Sequence, residues 1–371
     1  MSEPIVPQAD PLAGYRAAKG DIDAAVARVL AGGRYILGDE VVAFEAEFAT
    51  YLGVPDAVGA SSGTDAIALA LRALGIGPGD GVVTVAHTAV ATVAAVEMIG
   101  ATPVLVDIDP LTYTLDPQDL TAVLRAPPVP IKAILPVHLY GHPADMTAIM
   151  ALAEAYGLAV VEDASQAHGA ALGGRRVGSF GVLSAFSLYP TKNLGALGDA
   201  GVIAVNDGRL AEPLRALRQY GWRRRDDSTA VGVNARLDEL QAAILRVKLA
   251  RLEADNDARR AIAAAYDAAL ADLPLIRPHV AEGVIHARHQ YVVRTPRRDA
   301  LRARLVEQGV GSAVHYPIPV HLQSAYAGRL PLGPSGLAVS EQVAGEILSL
   351  PIFPQMTGEQ VQRVIAAVRA A

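Results

Sequence analysis

Val82-Val83-Thr84-Val85, the helically spaced run from Val90 to Ile99, and Pro103-Val104-Leu105-Val106-Asp107 decide the fold of this 371-residue chain. The outer segments are short, apolar and rich in β-branched residues, as buried strands are. Gly100 and Pro103 cut the stretch into strand, helix and strand. The unit repeats. Ile131 to Val137 reads as a strand, Ala144 to Tyr156 as a helix, and Leu158-Ala159-Val160-Val161 as a further strand that ends in Glu162-Asp163. Near-continuous apolar strands separated by helices imply an α/β fold with a mostly parallel sheet, flanked by helices on both faces.

That pattern runs from about residue 57 to 205 and changes after Leu237. Glu239 to Leu270 reads as one long helical stretch with Leu240, Ile244, Val247 and Leu249 near one face. Ile285 to Arg294 reads as a strand. Asp299 to Gln308, Ser340 to Leu348 and Glu359 to Ala370 read as helices. We therefore expect a large domain over 1–240 and a smaller α+β C-terminal domain over 241–371 that starts with the long helix as a bridge. A chain of this length favours two cores.

Three segments carry polar groups at the places where such a sheet puts ligands. Ser61-Ser62-Gly63-Thr64-Asp65 follows the apolar pair Ala57-Val58 and opens a helix. Free amides and hydroxyls there suit an anion, although a plain N-cap reads the same way. Val160-Val161-Glu162-Asp163-Ala164-Ser165-Gln166-Ala167-His168-Gly169 sets a carboxylate at the carboxyl end of a buried strand. It needs a cationic or hydrogen-bonding partner. A protonated pyridine nitrogen would serve, as would a helix cap or an Asp/His pair. Ala185-Phe186-Ser187-Leu188-Tyr189-Pro190-Thr191-Lys192-Asn193-Leu194-Gly195 places a lysine in a loop of small residues. Only four of the 32 basic residues are lysines: Lys19, Lys132, Lys192 and Lys248. In a chain that prefers arginine, Lys192 stands where arginine would not serve, because only lysine readily loses its proton and attacks a carbonyl carbon. A phosphate site, a carboxylate for a ring nitrogen and an amine for an aldehyde are the three handles of pyridoxal phosphate.

The remaining features exclude other classes. The net charge is −6, and the one tight basic cluster, Arg223-Arg224-Arg225, is followed at once by Asp226-Asp227, so no nucleic-acid partner is expected. The absence of cysteine rules out a disulfide, a thiolate metal site and a cysteine nucleophile, and no metal is expected. MSEPIVPQAD shows neither the basic nor the apolar region of a secretory signal, and Gly81 to Val106 is interrupted before it could span a membrane. We expect no membrane partner and a soluble, cytoplasmic protein.

Taken in order, these segments resemble the DegT/DnrJ/EryC1/StrS group of sugar aminotransferases, which have the fold type I architecture. The resemblance covers nearly the whole chain. It begins at Gly33-Arg34-Tyr35-Ile36-Leu37-Gly38 and takes in Ser61 to Ala66, Gly100 to Val104 and Pro136-Val137-His138-Leu139-Tyr140-Gly141. Glu162 to Ala170, Phe186 to Asn193 and Asn234 to Ala242 follow, and it ends with His315-Tyr316-Pro317-Ile318-Pro319-Val320-His321-Leu322 and Leu348 to Pro351.

The resemblance implies roles. Lys192 matches the lysine that holds the cofactor aldehyde, Asp163 the partner of the ring nitrogen, and Gln166 a residue near the ring hydroxyl. Gly63, Thr64 and Ser187 match the phosphate cradle. Asn234 matches a residue reaching the phosphate from a second subunit, which implies a homodimer with shared active sites. The usual aromatic residue over the cofactor is missing from Val85-Ala86-His87-Thr88-Ala89, which leaves His87 for that role. Implied substrates are a nucleotide-linked keto-sugar and glutamate. Tyr189, His315, Tyr316 and His321 would meet the sugar, and Arg223 of the partner's loop the diphosphate. The segment Val137 to Met146 looks most like members acting at C3 of dTDP-3-keto-6-deoxy sugars, with C4 amination as the alternative. Relatives with histidine in place of the lysine dehydrate sugars, and Lys192 favours amine transfer. A sugar dehydratase or a regulatory homologue without catalysis are the remaining readings.

Overall fold

The computed structural model describes residues 5–371. Seven strands form the central sheet: β1 (Asp56–Ala60), β2 (Gly81–Val85), β3 (Thr102–Val106), β4 (Ile131–Ile134), β5 (Ala159–Asp163), β6 (Leu183–Ser187) and β7 (Gly201–Val205). They lie in the order β1-β7-β6-β5-β4-β2-β3. The run from β6 to β3 is parallel throughout, and β7 is antiparallel to both β1 and β6. The expectation of a mostly parallel sheet is met.

Both faces are buried. Along β7, Val202 and Ala204 pack with Phe44 and Phe48, while Ile203 and Val205 pack with Ile67 and Leu71 on the other side. Successive strand residues point to opposite faces, so a strand covered on both needs apolar residues at every position. That is why these strands read as continuous apolar runs.

The C-terminal part is built on β8 (Tyr291–Arg294) and β9 (Ile347–Leu350), an antiparallel pair. Its core joins Tyr266, Tyr291, Leu348 and Val364. Three details differ from expectation. The long helix is two helices, Glu239–Leu249 and Leu252–Ala269, with a tight turn between them in which Arg251 N–H donates to the Lys248 carbonyl. Ala242 and Leu245 of the first join the core beneath the large sheet; Ile262, Ala263 and Tyr266 of the second join the C-terminal core. Each half buries its own face in a different core, and the turn lets both do so. The strand expected over Ile285 to Arg294 is also two pieces. Val284–Ile285 pairs with Ala171–Leu172, and Arg288, at φ +51°, turns the chain before β8. The helix over Ser340 to Leu348 ends at Glu346, where β9 begins.

Candidate active site

Glu162 and Asp163 end β5 and point to opposite faces, and their fates differ. Glu162 is fully buried and accepts from the amides of Gly178, Phe180 and Gly181, the Ser184 hydroxyl and His138 Nε2, at 2.8 to 3.0 Å. His138 Nδ1 accepts from the Ala144 amide at 2.9 Å, so its proton sits on Nε2, toward Glu162. Burial alone would raise this carboxyl, but His138 and the amides hold it below the usual carboxylate range. Five donors on one carboxylate pin the strand end. Asp163 faces the other way, into a cavity of about 240 Å³. Its Oδ2 accepts from Thr92 Oγ at 2.8 Å and its Oδ1 from the Ser165 amide at 3.2 Å. It is 4% exposed and has no ion pair among the described residues. A buried carboxylate in that state calls for a cationic ligand atom.

The opposite corner of the cavity is the start of the helix Gly63–Ala73. Ser62 caps it, its hydroxyl accepting from the Asp65 amide at 3.1 Å. The amides of Gly63 and Thr64 have no acceptor within the helix and carry the positive end of its dipole. Ser187, the last residue of β6, lies against this turn: a Cβ on Gly63 would sit 2.7 Å from the Ser187 Cβ. Gly201 is held by the same closeness, since its Cβ would fall 2.2 Å from the Ser62 carbonyl oxygen. Gly63, Thr64 and Ser187 therefore form one concave corner in which backbone amides and hydroxyls converge.

Lys192 sits between the two corners. Its amide donates to the Tyr189 carbonyl at 2.8 Å, closing the turn that projects it into the cavity. Burial lowers its amine to about 8, against the opposing pull of Asp163. At pH 7 about a tenth is then the free amine, the nucleophilic form.

Gln166 lines the cavity and is held at both ends. Its Oε1 accepts from the Tyr140 amide at 2.7 Å and its Nε2 donates to the Tyr316 hydroxyl at 3.0 Å. Burial and Asp163 raise that phenol to about 12, against the Gln166 donor. His315 stands beside it, Nδ1 against Ser349 Oγ at 2.9 Å, its ring lowered to about 4 by burial and then by Lys192. Tyr189 also lines the cavity and is half-exposed.

Tyr316 touches the cavity only through Gln166 and, like His315, does not line it; four further expected residues lie elsewhere. His87 is fully buried, its Nε2 against the Tyr140 hydroxyl at 2.8 Å and its ring edge-on to Tyr113 and Tyr140. The loop presents Thr88 and Ala89 to the cavity instead, so this chain has no aromatic lid from that loop, and His87 is corrected to a core histidine. His321 is bonded to Glu341 at 3.0 Å in the short turn Val320–Leu322 and does not line the cavity, which removes it as a sugar contact. Arg223 lies exposed on the hairpin Trp222–Arg224 with Asp227–Ser228, and Asn234 is exposed near it; neither lines this chain's own cavity. Sequence reading missed Thr92. Thr88 and Thr92 stand four apart at a helix start, the spacing that puts both hydroxyls on one side, and they bond each other at 2.9 Å beneath Asp163.

The residues present fit pyridoxal phosphate: an unpaired buried carboxylate, a cradle that any Cβ on Gly63 would fill, and a lysine amine between them. The sheet, the cavity at its carboxyl edge and this donor set define a fold type I pyridoxal-phosphate transaminase. The chain belongs to the DegT/DnrJ/EryC1/StrS aminotransferase family, whose model matches residues 17–369. It is 50% identical to dTDP-3-amino-3,4,6-trideoxy-alpha-D-glucose transaminase of Streptomyces venezuelae, over 99% of this chain and 96% of that protein. It is 42% identical to UDP-N-acetyl-3-dehydro-alpha-D-glucosamine 3-aminotransferase of Acidithiobacillus ferrooxidans, over 98% of this chain and 97% of that one. The crystal structure of S. venezuelae DesV superposes with a TM-score of 0.95 at 50% identity, covering 99% of this chain and 98% of that one. The protein is thus a pyridoxal-phosphate-dependent sugar aminotransferase.

Proposed function

We propose that the enzyme moves the amino group of glutamate to C3 of a nucleotide-linked 3-keto-deoxyhexose, with a dTDP-linked 6-deoxy sugar as its substrate. The observation that carries this is full-length 50% identity to a transaminase named for a 3-amino sugar. The second relative also aminates C3, on a different nucleotide. Pyridoxal phosphate supplies, when bound, an aldehyde and an electron-accepting ring. Lys192 would hold its aldehyde carbon, Asp163 the protonated ring nitrogen, Gln166 the ring hydroxyl side, and Gly63, Thr64 and Ser187 the phosphate. Once released, the Lys192 amine carries a proton to and from the substrate carbon, a role suited to its lowered affinity for protons. Tyr189, Tyr316 and His315 would face the sugar.

The same reading makes the active unit a homodimer. Asn234 would reach the partner's phosphate cradle and Arg223 the partner's diphosphate. Support comes from their exposure and from the exposed apolar neighbours Val231 and Val233. It divides the chain near residue 240, with the two helices from Glu239 to Ala269 as the bridge between domains. A nucleotide-linked sugar substrate favours a cytoplasmic enzyme. Among the described residues no helix is long and apolar enough to cross a membrane. The test is incubation with glutamate and nucleotide-linked 3-keto and 4-keto sugars. Expected is one 2-oxoglutarate per 3-amino sugar. A 4-amino product, or loss of water without amine transfer, would overturn the reading.

A further inference from the structure

Asn193 directly follows Lys192, and its side chain is held on every side. Its Nδ2 donates to the Ala287 carbonyl at 2.8 Å and to Asn256 Oδ1 at 2.7 Å. A backbone carbonyl only accepts, so the amide has one orientation, and its Oδ1 faces His289 Nδ1 at 3.1 Å. That oxygen has no proton to give; Nδ1 of His289 must carry it. Asn256 is oriented in the same way, because its Nδ2 donates to the His168 carbonyl at 2.9 Å. All the bonds therefore run one way, from His289 through Asn193 and Asn256 to His168. The last carbonyl belongs to the segment that begins at Asp163. A single directed chain ties the Lys192 turn to the Asp163 turn, and its two tying side chains, Asn256 and His289, come from the C-terminal part of the chain. Both are buried.

The far side of His289 meets Gln290. Gln290 Oε1 accepts from Gln8 Nε2 at 2.6 Å, which turns Gln290 Nε2 toward His289 Nε2 at 3.4 Å. Nε2 thus faces a donor and keeps its lone pair. The titratable groups around the ring are Lys192, Arg259, His315 and His168; burial first, and then these neighbours, hold its proton affinity well below that of free imidazole.

We propose that His289 is a positioning residue for Lys192: as a neutral imidazole protonated on Nδ1, it orients the Asn193 amide and so locks the turn carrying Lys192 against the turn carrying Asp163. The proposal rests on Lys192 being the cofactor lysine. A loosened turn leaves substrate binding intact but misplaces the amine that moves the proton, and such misplacement lowers turnover rather than affinity.

The test compares the holoenzyme with His289→Leu, His289→Asn and Asn256→Leu, reading kcat and KM for the keto-sugar and the pH midpoint of the bound cofactor's visible absorbance. His289→Leu should lower kcat on the order of tenfold, keep KM within about twofold and shift the midpoint. His289→Asn, whose amide N–H can replace Nδ1–H, should restore most of both. Asn256→Leu breaks the next bond without touching His289 and should move both readouts in the same direction, which keeps the test alive if His289→Leu does not fold. Wild-type kcat and midpoint in the folded variants, or His289→Asn as impaired as His289→Leu, would overturn the positioning role. Borohydride labelling of the wild type separates the two failures: a label on another lysine sinks the functional reading, whereas a label on Lys192 with silent variants sinks only this one.

Discussion

At the scale of single residues the site is a contrast between two carboxylates and one amine. Glu162 is saturated with donors and serves as structure; Asp163, next to it, keeps a face free for a ligand. Lys192 is the complement, a lysine whose burial holds its amine at about 8. Below that pH each unit lowers the free amine about tenfold. Capture of pyridoxal phosphate by the apoenzyme should therefore accelerate roughly tenfold between pH 6 and 7 and level off above 8, measured by stopped-flow absorbance; a flat profile would contradict the buried amine. Gly63 gives a steric test. Its added Cβ would meet Ser187 at 2.7 Å, so Gly63→Ala should destabilise the fold by about 1–3 kcal/mol and weaken cofactor affinity. Equilibrium unfolding and cofactor titration measure both. Lys192, Asp163 and the Ser61–Asp65 turn each have a plain structural reading alone; it was their conjunction that pointed to one site, and Lys192, Asp163 and Ser62 to Thr64 do line one cavity. His87 and His321 were misplaced because a histidine in a loop looks the same whether its ring faces a cavity or a neighbouring side chain. Tyr140 and Glu341 decide that, and both are distant in sequence.

At the scale of elements, the strand and helix succession was readable wherever both faces of a strand are buried. The apolar pattern over about 57 to 205 carries no sign of strand direction, and β7 runs the other way, a direction that apolar content does not encode. The split of the long helix at Ala250-Arg251 left no Gly or Pro to read; two separate cores impose it. The strand end at Glu162 makes the clearest prediction for this scale. Glu162→Ala would strand the His138 N–H, three amides and the Ser184 hydroxyl in a buried site, at about 3–5 kcal/mol. Denaturant unfolding should show a loss of that size; a loss below about 1 kcal/mol would mean water replaces the carboxylate.

At the scale of the whole molecule, the cavity lies at the large sheet's carboxyl edge, and the C-terminal part approaches it through Tyr316, whose hydroxyl accepts from the lining residue Gln166. Asn234 and Arg223 remain outside it, on the exposed face. If they serve a second copy, chains carrying Lys192→Ala mixed with chains carrying Asn234→Ala should regain part of the lost activity in hybrid dimers, which hold one site free of both changes. Verified hybrids with no recovery would show that Asn234 serves its own chain. The division of labour among lysines is also a whole-chain matter. Lys19 pairs with Asp23 on the surface, Lys132 is exposed in β4, and Lys248 donates to the Gly195 carbonyl behind the Lys192 loop. The most direct measurement is therefore borohydride reduction of the holoenzyme followed by peptide mapping. The structure predicts the pyridoxyl group on Lys192 alone; a label on Lys19, Lys132 or Lys248, or no label, would contradict it.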